Sequence, residues 1–357
     1  MSAPDLDMKK VEEIAHLLFG KIDGAMTCAL AMIGDRLGLY RALADGGPQD
    51  SAAMAARTGL HERWVREWLH QQAAAGVIDF ESGRFSLSPE AIEILANEQS
   101  ALFSAGVFES VVGLMKTTDT IDDSFRTGIG ASYDSFGPEV TRGIERMFAP
   151  FFRTRLVPEV LPTMDGVVAK LEAGVKVADV GCGGGIALIE MAKAFPASRF
   201  HGFDNSEMAL ERAATNFSDA GLSNVTFHDA SVERLEEDES YDLITTFDCL
   251  HDMTHPTETI GAIRRSLKAD GTWFVSDIRG HSTFEENHAE HPFAGMLYGF
   301  SVLCCMRSAA ATEDGEALGT LGFTEDVARR TAEDAGFTKF VKHDFDNPLN
   351  DYYEVRL

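Results

Sequence analysis

The sequence predicts two domains, a helical winged-helix-like domain and then a doubly wound α/β domain whose largely parallel sheet ends in an antiparallel hairpin. Three observations carry this. Apolar residues recur at helical spacing from Met8 to about Ala75. Two short alternating segments joined by Ser82-Gly83 follow them. After Gly174, strand-like runs alternate with helical ones to the end of the chain.

In chain order, Val11, Ile14, Leu18 and Phe19, then Ile22, Met26, Leu30 and Ile33, mark two helices ending at about Ala44. Asp45-Gly-Gly-Pro breaks the run, and Ser51 reads as the cap of a short helix that stops at Thr58-Gly59. A third helix follows from His61 to about Ala75. Val77 to Ser88 then carries the hairpin signature, which completes a winged helix. Five strands are expected at Val175–Val180, Arg199–Phe203, Asn224–His228, Tyr241–Phe247 and Gly271–Ile278. Thr338–Phe345 and Tyr352–Leu357 are separated only by the turn-forming Asp346-Asn-Pro-Leu-Asn. Such neighbours must run antiparallel, so the sheet has seven strands and a closing hairpin. The domain limits read as 1–100, a helical connector 101–170, and 171–357, with an apolar lid-like insertion at 279–322.

Composition narrows the function. With 31 Lys and Arg against 57 Asp and Glu, the formal net charge is −26, which repels phosphate backbones and argues against nucleic acid as a main partner. No apolar run is read as a membrane span, and the acidic N-terminus lacks the pattern of a secretion signal, so a cytoplasmic protein is expected. Cys28, Cys182, Cys249, Cys304 and Cys305 form no CxxC pair and read as reduced thiols. His281, His288 and His291 with Glu285 and Glu286 match no common metal-ligand spacing, so no metal is expected. Cys304 and Cys305, inside an apolar run, read as packing residues.

The chemistry is concentrated at strand ends. Val177-Ala-Asp-Val-Gly-Cys-Gly-Gly-Gly runs from a strand through glycines into a helix, where bare backbone passes close to a ligand and free N–H groups face it. Gly181, Gly183 and Gly185 give GxGxG after Asp179, with Cys182 as a small filler. A dinucleotide fold would instead use GxGxxG. Acidic residues also end the next three strands: Asp204 followed by Asn205, Asp229 followed by Ala230, and Asp248 after Phe247.

This set resembles the Rossmann-like class I S-adenosylmethionine-dependent methyltransferases. The resemblance implies that Asp204 accepts hydrogen bonds from both ribose hydroxyls, that Asp229 and Ala230 flank the adenine, and that Asp248 lies beside the methionine portion. Cys249-Leu-His-Asp-Met-Thr-His-Pro is similar to the His-Asp segment of plant-type small-molecule O-methyltransferases, which is followed by a helix and a Lys-x-x-Gly turn, here Lys268 to Gly271. It implies that His251 removes the acceptor's proton and that Asp252 orients it or caps the next helix; His255, before Pro256, reads as structural.

Likeness in domain order extends to related bacterial methyltransferases once labelled regulators, which Glu285 to His288 and Leu318 to Phe323 resemble most. It implies a homodimer joined through the N-terminal helices, with Tyr133 and Phe136 of the connector approaching the cofactor. The expected function is methyl transfer to a small, relatively apolar acceptor, with oxygen favoured because a phenol gains more from a base than a thiol does. S-methylation of a small thiol is the alternative. A ligand-sensing winged-helix regulator is the alternative of another class, opposed by the two glutamates in the helix that would meet DNA.

Overall fold

The computed structural model describes residues 6–357, which divide into two compact units, one ending at Val112 and one spanning Gly113–Leu357. In the first, α1 (Met8–Arg36) starts at Asp7, whose carboxylate accepts from the amides of Lys9 and Lys10. It continues through Gly20 and Gly24 to a length of about 44 Å at 1.5 Å per residue. α2 (Leu39–Gly46), α3 (Ser51–Thr58) and α4 (Glu62–Ala74) follow. The sequence placed the α3 cap at Ser51. Asp50 holds it instead, accepting from the Ala53 amide at 2.8 Å, because its carboxylate sits one residue before the first helical turn.

Trp68 of α4 anchors this unit. Its indole N–H donates to the Leu30 carbonyl at 2.8 Å and its ring meets Tyr40 edge-on at 5.2 Å. Gly34 makes that approach feasible, since a Cβ there would lie 2.4 Å from the ring. β1 (Asp79–Glu81) and β2 (Arg84–Ser86) pair antiparallel across Ser82 and Gly83, both at positive φ (51° and 81°), the conformation of a two-residue hairpin loop.

The second unit is built on seven strands, β3 (Lys176–Val180), β4 (Arg199–Asp204), β5 (Val225–Asp229), β6 (Tyr241–Phe247), β7 (Leu267–Ile278), β8 (Lys339–His343) and β9 (Asn350–Arg356). Their order is β5-β4-β3-β6-β7-β9-β8, and β9 runs opposite to the other six. Side chains alternate between two cores. Val177, Leu243, Phe274 and Tyr352 fill one face, and Ala178, Ile244, Trp273 and Tyr353 fill the other. β6 is buried at every position, as a central parallel strand covered on both sides should be. Strand order reverses beside β3, so the carboxyl ends of β3 and β6 open a crevice there.

Two readings change in the structure. The stretch 279–322, aperiodic in sequence, contains helices at Phe284–Glu290 and Ala294–Phe300, a π-helical turn at Ser301–Cys305 and a last turn at Met306–Ala309. And α1, read as two soluble helices with its continuation, is by length and composition apolar enough to cross a membrane, although Lys21 and Asp23 lie within it. Leu17, Leu18, Phe19, Ile22 and Met26 are all exposed on it.

Replacing Asp50 with Ala is expected to destabilise the first unit by about 1 kcal/mol, the usual cost of losing a helix cap. Urea unfolding followed by tryptophan fluorescence reads this, since Trp64 and Trp68 both lie on α4.

Candidate active site

The crevice is a cavity of about 470 Å³ at the carboxyl ends of β3, β4 and β6, within the range of small-molecule sites. Its floor is the turn after β3. Gly181, Gly183 and Gly185 all have positive φ (75°, 53° and 72°), a conformation that strains residues with a side chain. They differ in what they face. A Cβ at Gly181 would lie 2.7 Å from the Cys249 side chain and one at Gly185 2.7 Å from Phe227, whereas at Gly183 it would meet nothing within 4 Å. The first and third glycines therefore allow close packing, and the middle one leaves open space. Cys182, also on the wall, has its thiol pushed well up by burial.

Asp204, at the end of β4, clamps this turn. One carboxylate oxygen accepts from the Gly183 amide at 2.8 Å and the other from the Ser206 amide at 2.9 Å. Burial raises its pKa, and these hydrogen bonds oppose the rise. Asn205 lines the same wall. Asp179 is buried at 1% exposure and accepts from the Thr245 hydroxyl at 2.7 Å; burial raises its pKa from 3.8 to about 7.

At the end of β5, Ala230 lines the cavity and its amide donates to the Asp204 carbonyl at 2.8 Å. The exposed Asp229 carboxylate is turned to the amide and hydroxyl of Ser231 at 2.9 and 2.6 Å. After β6, Phe247 meets Phe152 edge-on at 4.9 Å, and Asp248, at φ 51°, accepts from the Asn350 side chain. Phe247 and Asp248 both line the cavity. Tyr133 does so too, whereas Phe136 is buried behind it at 5.6 Å between ring centroids.

His251 is 3% exposed and lies just off the cavity wall, while the next residue, Asp252, lies on it. The ring's Nδ1 is 2.6 Å from Oδ1 of Asp277. Topology explains the meeting. β6 and β7 run parallel with Phe247 opposite Ser276, so the turn after β6 passes over the end of β7. Burial by itself would favour the neutral ring, but the Asp277 carboxylate and the Cys305 side chain outweigh it and hold the imidazole well above its ordinary value of 6.5. Desolvation pushes the Asp252 carboxyl well up, with His251 opposing the shift. His255 is half-exposed, 3.8 Å from Asp314.

Some residues of this site escape a linear reading. Glu145, on the cavity wall, holds Arg212 with two hydrogen bonds of 3.0 Å each and also accepts from Asn216. The carboxylate of Asp134 takes the Glu207 amide at 3.0 Å and the Ser206 hydroxyl. Asp277 had a visible signal, an acidic residue near the end of the fifth strand, like the four already noted. His281, His288 and His291 do not converge on a ligand set. His291 bonds the Arg279 carbonyl and His288 stacks on Phe284.

Residues 171–321 match the family described as Methyltransferase domain, and residues 25–97 match the Rv2258c-like winged HTH domain. The chain carries a methyltransferase domain. A relative of it is a malonyl-[acyl-carrier protein] O-methyltransferase of Bacillus cereus, 32% identical over 117 residues, or 33% of this chain and 42% of that protein. The chain thus spans under half the length of that relative, and likewise 44% of a ubiquinone biosynthesis O-methyltransferase of a Shewanella species, at 37% identity over 29% of this chain.

Solved structures agree over almost the full length. A putative O-methyltransferase of Nostoc punctiforme superposes with a TM-score of 0.72 at 17% identity, covering 95% of this chain and 98% of that one. Human N-acetylserotonin methyltransferase, in complex with SAM, gives 0.66 at 16%, covering 100% and 99%. At such identities the likeness establishes the fold: a winged-helix domain followed by a Rossmann-like sheet.

Asp179 supplies a test of the site's electrostatics. Its carboxyl is raised in the folded chain, so the folded state binds the proton more tightly than the unfolded one. That contribution is full below the unfolded value near 4 and is lost as pH rises through about 7. Asp179→Asn is therefore expected to gain stability over the wild type between pH 4 and 7 and to hold a constant advantage above, with a ceiling on the order of 4 kcal/mol at ~1.4 kcal/mol per unit. Thermal unfolding across pH without ligand measures it.

Proposed function

We propose that the methyltransferase domain uses S-adenosylmethionine to methylate an oxygen of a small, relatively apolar acceptor. The observation that carries this reading is the glycine-floored cavity at the strand ends of the matched segment, bordered by acidic residues, with a His–Asp pair beside it. The cavity suits the cofactor. Open space over Gly183 admits it, and Asp204 and Asp248 present carboxylates to it. S-adenosylmethionine supplies a methyl group on a positively charged sulfonium. Asp204 would take the ribose hydroxyls through lone pairs left beside its two backbone bonds. Ala230 and Asp229 would border the adenine, Tyr133, backed by Phe136, would cover the cofactor, and Asp248 would lie by the methionine end.

His251 would accept the acceptor's proton at the ring nitrogen not bound to Asp277, and Asp277 would stabilise the imidazolium that forms. Asp252, between His251 and the cavity, would steer the acceptor hydroxyl. The first unit, by this reading, serves assembly and not DNA. Arg63 and Arg66 of α4 are paired to Glu67 and Glu62, which cancels the positive face that a DNA-reading helix needs. A homodimer would bury the apolar side chains of α1, and Lys21 and Asp23 within that helix are costly in a bilayer. A cytoplasmic location, where free thiols persist, belongs to the same proposal.

Asp204→Ala should weaken binding of S-adenosylmethionine by about 2 kcal/mol, as for lost hydrogen bonds to a charged group; unchanged affinity by calorimetry would rule out its ribose role. His251→Ala should lower turnover by about 10²–10⁴-fold with cofactor affinity nearly intact. The wild-type rate should climb with pH through a value above 6.5, since the ring is held protonated beyond its ordinary range, and Asp277→Asn should move that limb to lower pH. Light scattering should find a dimer at micromolar concentration, and a monomer would refute the role given to α1.

A further inference from the structure

The His–Asp pair has a third neighbour. Cys305, at the end of the π-helical turn Ser301–Cys305, is buried against it, and one donor atom from each of His251, Asp252 and Cys305 falls within 4.8 Å of the others. Asp277 occupies Nδ1 of His251, which leaves Nε2 to the Cys305 side chain, with which the ring hydrogen-bonds. Asp277 is itself fixed by the Ile278 amide, which donates to the same Oδ1 at 2.8 Å, while its Oδ2 is buried without a hydrogen-bond partner. Cys304 hydrogen-bonds Cys305 and holds its thiol well below the ordinary range despite burial, with His251 acting in the same sense.

We propose that His251, Asp252 and Cys305 form a three-ligand site for a thiophilic divalent cation of zinc chemistry. The donor set argues for it. An imidazole, a carboxylate and a thiolate are the mixed ligands that zinc takes, and hard cations such as magnesium avoid sulfur. A four-coordinate ion with bonds of about 2.0–2.3 Å needs its ligands roughly 3.5 Å apart, a modest closure of the present spacing. The second requirement of such sites is also met, because a metal-binding histidine commonly donates its other N–H to a carboxylate, the position Asp277 holds. Asp252 lines the cavity, so an ion held by it would be within reach of the cavity's contents.

Binding takes the ring nitrogen assigned above to proton abstraction. Occupancy and that role exclude each other, so zinc should inhibit methyl transfer. Only this consequence rests on the methyl-transfer reading; the binding does not.

The full-length protein, reduced and freed of metal with a chelator, is titrated with Co²⁺. One equivalent should produce a thiolate-to-cobalt charge-transfer band in the near ultraviolet and the visible bands of a four-coordinate ion, and Zn²⁺ should bleach both. Cys305→Ser should abolish the charge-transfer band and Cys304→Ser should keep it. Asp277→Asn should weaken cobalt binding by about 10–100-fold. Should Cys305→Ser not fold, His251→Gln is read in the same way. Absence of the band in the wild type, or its survival in Cys305→Ser, overturns the site. A band without zinc inhibition of methyl transfer upholds the site and counts against His251 as the base.

Discussion

The Asp204 carboxylate ties the ends of two neighbouring strands together. It takes the amide of Gly183 from the turn after β3 and the amide of Ser206, which opens the helix after β4. Those amides are among the groups a helix or a sharp turn leaves without internal partners. Satisfying both with one partly buried carboxylate fixes the height of the glycine floor against the β4 wall. The backbone bonds from Gly181 and Cys182 to the Phe203 carbonyl, 2.8 and 3.1 Å, lock the same junction. Every group on the cavity floor is positioned from this corner.

Several carboxyls of the second unit are withdrawn from solvent. Asp179, buried, and Asp248 and Asp252, partly buried, are carboxyls at or beside the cavity with raised affinities for protons. A cavity so lined favours cationic groups and disfavours a second anion. That would suit the sulfonium donor proposed above. His251 is the exception, a buried ring kept basic by Asp277 and Cys305.

The same corner of the fold also places chemistry that the proposed transfer does not use. The π-helical turn carries Cys305 onto His251. Unwinding to the wider π geometry is frequent where a side chain must be aimed at a functional site. Base and metal ligand are alternative uses of one nitrogen, and the Asp277 contact serves both.

The sequence alone determined what depends on local pattern. Apolar periodicity and the turn at Ser82-Gly83 gave the winged-helix domain, and the alternation after Gly174 gave seven strands whose limits moved by a few residues at most, as at Leu267 of β7. The glycine turn and four acidic strand ends were legible because each needs only its own strand and the residues beside it. The tertiary structure decided what requires elements far apart in the chain to meet. Asp277 reached His251 through the parallel register of β6 and β7, Glu145 reached Arg212 across 67 residues, and Cys305 reached both His251 and Asp252 from a stretch with no readable period. Spacing along a chain records none of these meetings, because strand order and helix packing set them. The helix cap passed from Ser51 to Asp50 for a smaller version of the same reason, since the first helical turn, and not residue type alone, selects the carboxylate that reaches its amides.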